Sequence, residues 1–464
     1  MTHHGRRRLA VGVVLVAWLV LTSAAPASAH GVGGRADLPL PLWLFTYGAG
    51  GALVASFVAL RVLWPTPRLR DAAPGRELSP ALDRMRLPAL LVGRALGIAS
   101  LGLVLVAAWW GSDDPAANLA PVAVYVVFWV GFQLLAAVLG PVWQLVNPFD
   151  TIAAAIERVQ RPHGGHGMSD RRIRPADPGH WSAAVLLFSF VWLELAYYDS
   201  ASPTALALWL TAYLAAVVAG TFRWGRGWLG HGEGFTALFD LLAHLSPLHV
   251  EAGRLRLRPP FSGLSTYHTR QGTAALILVV LGSTSFDGLT RTELWADVVG
   301  DRTGWAQTTV STVGLVLVIS LMTAVYLAAM SMMARNVDRD RAELGATFLP
   351  SLIPIVLAYT LAHYFSLLIF EGQGAYALLS DPFGRGWDLF GTVDHSIDYL
   401  AVSVDTIAFV QAGAIVFGHI VGVVAAHDRA VELFPRRLAE SSQYPLLGVM
   451  VLYTVGGLAL LLGG

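Results

Sequence analysis

Every basic residue in this 464-residue chain is an arginine, and the arginines collect in alternate loops between long apolar stretches. Hydrocarbon offers the backbone no hydrogen-bond partners, so a crossing segment must satisfy itself as an α-helix or within a closed β-barrel. A helix needs about 20 apolar residues to cross. Ten stretches qualify, near 43–64, 88–110, 120–140, 181–198, 204–222, 272–287, 307–333, 348–370, 399–425 and 445–462. The expected fold is all-α, a polytopic transmembrane bundle of about ten helices. Trp43, Trp64, Trp109, Trp110, Trp143, Trp181, Trp224 and Trp305 sit at the ends of these stretches, where interfacial aromatics belong.

The arginines also set the orientation. Loops 65–87, 141–180, 223–271, 334–347 and 426–443 hold 22 of them, whereas the opposite loops hold only Arg35, Arg291, Arg302 and Arg385. The rich side is expected in the cytoplasm. Acids mark the other side, with Asp113, Asp114, Glu293, Asp297, Asp301, Asp381, Asp388, Asp394 and Asp398. The N-terminus agrees. Arg6–Arg8, an apolar run from Leu9 to Thr22 and the small residues Ala27-Ser28-Ala29 form a secretory signal pattern. Residues 1–29 are therefore expected as a signal peptide. Residues 30–464 form one transmembrane domain, with both mature termini outside.

Composition narrows the chemistry. The chain is 55% hydrophobic and 13% charged, against roughly a quarter charged for a soluble domain. Net charge is zero, so no electrostatic footprint for nucleic acid exists. The lack of cysteine removes disulfides, thiolate metal sites and thiol nucleophiles. The lack of lysine removes Schiff-base chemistry. No GxSxG, HExxH or Walker A pattern occurs. Two loop segments have helical apolar spacing, Ile152, Ile156 and Val159, then Phe235, Leu238, Leu242 and Leu245. Both are expected along the inner interface. Arg161 to Asp170, with His163 and His166, reads as a solvated Gly/Pro loop.

An ionisable group inside a span is costly and marks a candidate site. In the eighth span Tyr359, His363 and Ser366 share one helix face, and in the ninth Asp398, Asp405 and His419 form a stripe. Packed as an antiparallel hairpin, these spans would bring His363 and Asp405 to one level, with Tyr359 and Gln411 one turn deeper. The sixth span has a short apolar part followed by Gly282-Ser283-Thr284-Ser285-Phe286-Asp287-Gly288, a pattern that suggests a broken helix lining a cavity. Glu194 in the fourth span and Asp287 then fall in the outer half with His363 and Asp405.

Carboxylates with imidazole suit a divalent metal such as zinc, manganese or iron, with Tyr359 as a hydrogen-bond donor. The alternative is that neighbouring helices satisfy each group separately. A cleaved signal would also expose His30 as an N-terminal copper chelator, although many signal peptides precede a histidine by chance. His419 is expected as a buried neutral histidine bonded to a carbonyl, and His427-Asp428-Arg429 as a surface anchor.

The segments AHGVGGRADLPLPLWLFTYGA from Ala29, LGSTSFDG from Leu281 to Gly288 and FGHIVGVVAAHDRA from Phe417 to Ala430 resemble bacterial, largely actinobacterial, membrane proteins labelled fenitrothion hydrolases. The resemblance implies a bacterial inner-membrane protein that cleaves an organophosphorus ester; for such metal-assisted hydrolysis the candidate ligands read from the spans are His363, Asp405 and Asp287. It brings no established catalytic residues. Three readings follow. The first is a transporter or ion/proton-coupled component with an outward-facing polar site, acting on a small molecule or ion. The second is a membrane-embedded metal-dependent hydrolase. The third is a structural or assembly subunit.

Overall fold

The computed structural model describes residues 39–160 and 176–462. The expected signal segment, His30 and the loop carrying His163 and His166 lie outside the described residues. The chain is an all-α, multi-pass transmembrane helix bundle. Its main helices are α1 (Leu42–Leu63), α2 (Pro80–Trp110), α3 (Leu119–Leu139), α4 (Pro148–Gln160), α5 (Trp181–Leu195), α6 (Pro203–Trp224), α7 (Gly234–Ala243), α8 (Thr273–Thr290), α9 (Gly304–Val337), α10 (Ile353–Ser380), α11 (Val404–Leu433) and α12 (Tyr444–Leu462). Among the described residues nine helices are long and apolar enough to cross a membrane. The expected fourth span is α5, only 15 residues or ~22 Å long.

Three short strands, β1 (Arg76–Glu77), β2 (Leu248–Glu251) and β3 (Arg254–Leu257), form an antiparallel sheet in the order β1-β3-β2. They lie in the arginine-rich loops, which lie together at one end of the bundle. The acidic loops form the other end.

The apolar sequence is distributed as lipid contact demands. Peripheral α2 exposes Leu87, Leu91, Val92, Leu96, Trp109 and Trp110, a belt that water would not tolerate and hydrocarbon does. At the centre, 72% of the apolar window of α8 is buried, against 6% for α2.

The α8 helix runs unbroken through the Gly/Ser/Thr stretch, which corrects the expectation of a broken sixth span. Its hydroxyls are satisfied within the helix. Ser283 Oγ donates to the Val280 carbonyl (2.9 Å) and Ser285 Oγ to that of Leu281 (2.7 Å). The glycines serve packing instead. A Cβ at Gly282 would stand 2.7 Å from the Ile319 Cα on α9, and one at Gly288 3.3 Å from the His363 ring. Small residues bring helices together in just this way within a bilayer.

The α7 helix is also placed differently from expectation. Instead of lying along the interface it is enclosed, with Phe235, Leu238, Phe239, Leu241 and Leu242 all buried. It packs on α3 and α5 through an aromatic cluster that includes Phe128, Phe132, Trp143 and Phe190. Its N-cap is Glu233, fully buried, which accepts from the Phe235 and Thr236 amides (3.0 and 2.8 Å) and from the Tyr213 hydroxyl. The segment with Ile152, Ile156 and Val159 is helical, as its spacing predicts, in α4 at Pro148–Gln160.

The expected surface anchor at the end of α11 is an interior joint. His427 and Asp428 are buried. Asp428 Oδ1 accepts from Trp64 Nε1 (2.8 Å) and the Arg68 amide (2.7 Å), fixing the turn after α1. His427 Nε2 donates to the Trp64 carbonyl (3.2 Å).

The α10 and α11 helices form the most extensive helix pair. They meet at Gly418, where a Cβ would lie 2.3 Å from Ala358 Cβ and 2.8 Å from the Pro354 carbonyl, and at Gly422, against the Ser351 carbonyl (2.7 Å). Gly418→Leu is expected to wedge the pair apart, costing about 1–3 kcal/mol. A lower unfolding temperature in detergent, set beside Gly413→Leu where nothing stands within 4 Å, checks this. Equal melting of the two variants would contradict the assigned contact.

At the acidic end, the loop after α10 folds around Asp381, which accepts from the Arg385 amide (2.9 Å) and the Gly386 amide (2.6 Å). Desolvation raises this carboxyl, but the backbone donors of Arg385, Gly386, Trp387 and Phe383 outweigh it and hold the group below its ordinary range. With the folded-state value depressed, the ionised form stabilises the loop above the unfolded value near ~3.9. That contribution is lost as pH falls through the folded value. Amide exchange at Arg385 and Gly386 is therefore expected to keep its protection from neutral pH down to about pH 4 and lose it below. Asp381→Asn should show weaker protection throughout.

Candidate functional site

Three helices that start from the arginine-rich end carry the site. The His180 amide donates to the Gln271 carbonyl (2.7 Å) and so ties the starts of α5 and α8 together. From Trp181 to Glu194 is thirteen residues and from Thr273 to Asp287 fourteen, both ~20 Å. The two carboxylates therefore reach one depth on adjacent helices, within electrostatic range of each other. The α10 helix enters beside them with His363 and Tyr364.

Asp287 Oδ2 is the focus. His363 Nδ1 lies 3.0 Å from it, and Arg291 Nη2, one turn along α8, lies 3.1 Å from the same oxygen. His363 is 3% exposed and Asp287 9%, so the imidazole–carboxylate pair lies inside the bundle while the Arg291 side chain is partly exposed. Tyr364 donates to Glu194 Oε1 (2.8 Å). Glu194 Oε2 is buried with no partner. Trp129 of α3 lies beside Tyr364, its buried indole N–H directed at that hydroxyl. His363 Nε2 has no hydrogen-bond partner among the described residues.

Glu194, Asp287 and His363, expected in one half of the span, are thus brought together. Asp405 is not. It is exposed in the first turn of α11. The reason is helix length: α10 continues to Ser380 rather than ending near residue 370. His363 then lies seventeen residues, ~26 Å, from the helix end instead of seven. The glycine contacts at 418 and 422 set a register that carries Asp405 past His363 towards the acidic loops. The expected pairing of His363 with Asp405 is corrected accordingly, and Asp287 takes that place.

Nor do Tyr359 and Gln411 form the expected pair. The Tyr359 hydroxyl donates to the Tyr453 carbonyl (2.8 Å) and its ring meets His419 (5.8 Å between centroids). Ser366 is half-buried. As expected, His419 is buried and bonds a carbonyl, that of Ile415 (2.8 Å).

As for metal, no group of three or more His, Asp or Glu is arranged to hold an ion among the described residues. Asp287 and His363 offer two ligands, but Asp287 Oδ2 is already shared with Arg291. Glu194 is held by Tyr364, and Asp405 lies elsewhere. The set Glu194, Asp287, His363 and Asp405 does not fit a single metal centre in this arrangement.

Three contributors escaped the sequence reading. Tyr364 sits next to His363, but its role depends on α5 being a neighbour. Trp129 belongs to Val122–Gly131, a ten-residue stretch wound in wide π-type turns, which are uncommon and cluster at functional sites. Gln133 locks that stretch to α10, donating to the Trp129 carbonyl (3.1 Å) and accepting from Thr360 Oγ1 (3.0 Å). A buried glutamine within a span was the available signal.

Comparison of the chain with protein-family models, with curated proteins and with solved structures finds no match in any of the three.

Tyr364→Phe removes the one side-chain donor to Glu194 and is expected to destabilise the protein by about 1–3 kcal/mol. Asp405→Asn, at an exposed position, should change stability by less than about 0.5 kcal/mol. Thermal unfolding of the two variants side by side checks the assignment, and the reverse order would overturn it.

Proposed function

We propose that this protein is a proton-linked transporter, or a proton-conducting component of one, in a bacterial cytoplasmic membrane. The arginine-rich end lies in the cytoplasm by the positive-inside rule, and Asp287, three residues from the end of α8, lies nearer the opposite side. One observation carries the reading. Two carboxylates from different helices, Asp287 and Glu194, occupy one depth within the bundle, linked to an imidazole and a phenol. Each charge within a span costs about 2.5–3.5 kcal/mol on insertion scales. Helix packing alone does not require two of them.

The arrangement suits proton exchange. Asp287 and His363 share a hydrogen-bonded proton position between Oδ2 and Nδ1, and Arg291 offsets the carboxylate charge from the outer end. Glu194 Oε2 is an open acceptor inside the protein. A proton entering past Arg291 has two carboxylates and an imidazole to occupy. Its charge on either acid changes what the other holds.

The test is proton flux into vesicles containing the purified protein, driven by a valinomycin-set potassium potential and read with an internal pH dye. Flux well above protein-free vesicles is expected, reduced at least tenfold in both Asp287→Asn and Glu194→Gln with an unchanged gel-filtration profile. Flux no higher than in empty vesicles would sink the proposal. Cleavage of a nitrophenyl phosphotriester that is lost in Asp287→Asn, without flux, would support the hydrolase reading instead.

A further inference from the structure

Two acceptors on α11 have no donor among the described residues. His419 is fully buried and its Nδ1 lies 2.8 Å from the Ile415 carbonyl. A carbonyl only accepts, so Nδ1 carries the proton of the neutral ring and Nε2 presents a lone pair. That Nε2 is buried without a partner, and so is Gln411 Oε1. Gln411, Ile415 and His419 are spaced by four and lie along one face of the helix. Leaving a buried acceptor unpaired costs about 1–3 kcal/mol, so two on one face, in the helix that packs on α10, call for an explanation.

Their surroundings connect them to the carboxylate site. The His419 ring packs edge-on against Tyr359 (5.8 Å) and Tyr453 (5.9 Å). The Tyr359 ring lies nearly parallel to that of His363 (6.1 Å, 26°), whose Nδ1 meets Asp287. Asp287, His363, Tyr359 and His419 thus form a file of touching groups from the acidic half of the bundle inward. The hydroxyl of Tyr359 is committed to the Tyr453 carbonyl, so the phenol lines the file and the imidazoles hold the exchangeable positions.

Beyond His419 a cavity begins. Ala425 is six residues further along α11, ~9 Å. With Ala426, Ser351, Thr347 and His268 it lines a space of about 210 Å³ at the arginine-rich end. At ~30 Å³ per water this holds several waters. Its walls are the segment leading into α10, the inner end of α11, the turn after α1 and the stretch 264–269.

We propose that this cavity is the cytoplasmic mouth of a proton path running from Asp287 through His363 to His419, with His419 Nε2 as the inner proton acceptor. The inference rests on the proton-linked reading of the carboxylate site. A proton taken at Nε2 gives an imidazolium that keeps its Nδ1–H bond to Ile415. Release of the same proton from Nε2 to cavity water restores the starting tautomer. Gln411 Oε1 orients water between the two histidines as an acceptor.

The chain has no cysteine, so each introduced thiol is unique. Ala425→Cys, His419→Cys and His363→Cys are placed singly in vesicles of known sidedness. A membrane-impermeant cationic methanethiosulfonate is then added to one side. Ala425→Cys and His419→Cys should label at least tenfold faster from the cytoplasmic side, and His363→Cys from the other. Labelling of His419→Cys from the outer side, or from neither, overturns the path. Should His419→Cys fail to fold, His419→Gln in the flux assay decides, with at least a tenfold loss expected and retained flux overturning the assignment. Flux lost in Asp287→Asn but kept in His419→Gln would leave the carboxylate site standing and remove the path. No flux in the unmodified protein removes both.

Discussion

A bilayer has no water with which to answer a buried polar group, so the interior of this bundle is organised by how each one is satisfied. Most are satisfied locally. The hydroxyls of Ser283, Thr284 and Ser285 bond carbonyls one turn back, which lets a polar run stay helical at the centre of the protein. Others are satisfied across helices and thereby fix the assembly. Asp428 holds the turn after α1, Glu233 caps the enclosed α7, and Gln133 fastens the wide-turn stretch of α3 to α10. Against this background three of the unpaired atoms among the described residues, Glu194 Oε2, Gln411 Oε1 and His419 Nε2, acquire meaning. All three are acceptors, and they lie on helices that converge around α10.

The second constraint is close approach. Without a hydrophobic driving force between spans, contact depends on small residues that admit a neighbouring backbone. Gly282 admits α9, Gly288 admits the His363 ring, and Gly418 and Gly422 admit α10. The last pair matters most for function, because it sets the register between α10 and α11. That register decides that His363 faces Asp287 while Asp405 is carried out to the acidic loops. The same contacts bring His419 alongside Tyr359 and open the cavity at Ala425.

Much of this was written in the pattern of residues. Ten apolar stretches separated by arginine-rich and acidic loops specified a helical bundle and its two unlike ends, because a continuous apolar run of about 20 residues crosses hydrocarbon with its backbone satisfied within itself as a helix. Ionisable residues within spans pointed to Glu194, Asp287 and His363, because their cost makes them rare. Where the reading failed, it failed on length and neighbourhood. The end of α10 was placed ten residues short of Ser380 because Glu371, Gln373 and two glycines break its apolar run without breaking the helix. The stretch at Gly282–Gly288 was taken for a broken helix because its composition does not reveal whether its hydroxyls are bonded within the helix or its glycines are packed.

Residue types and run lengths alone specify the class of fold, the two unlike ends of the bundle and the residues whose burial is costly. Each of these follows from transfer between water and hydrocarbon, which depends on residue type and local run length. Which of the costly residues meet is a matter of helix packing. It joined Asp287 to His363, gave Glu194 to Tyr364, set Trp129 beside them and left Asp405 at the surface. Those pairings depend on which helices are neighbours and in what register, and both are set by glycine contacts and helix ends far apart in the chain.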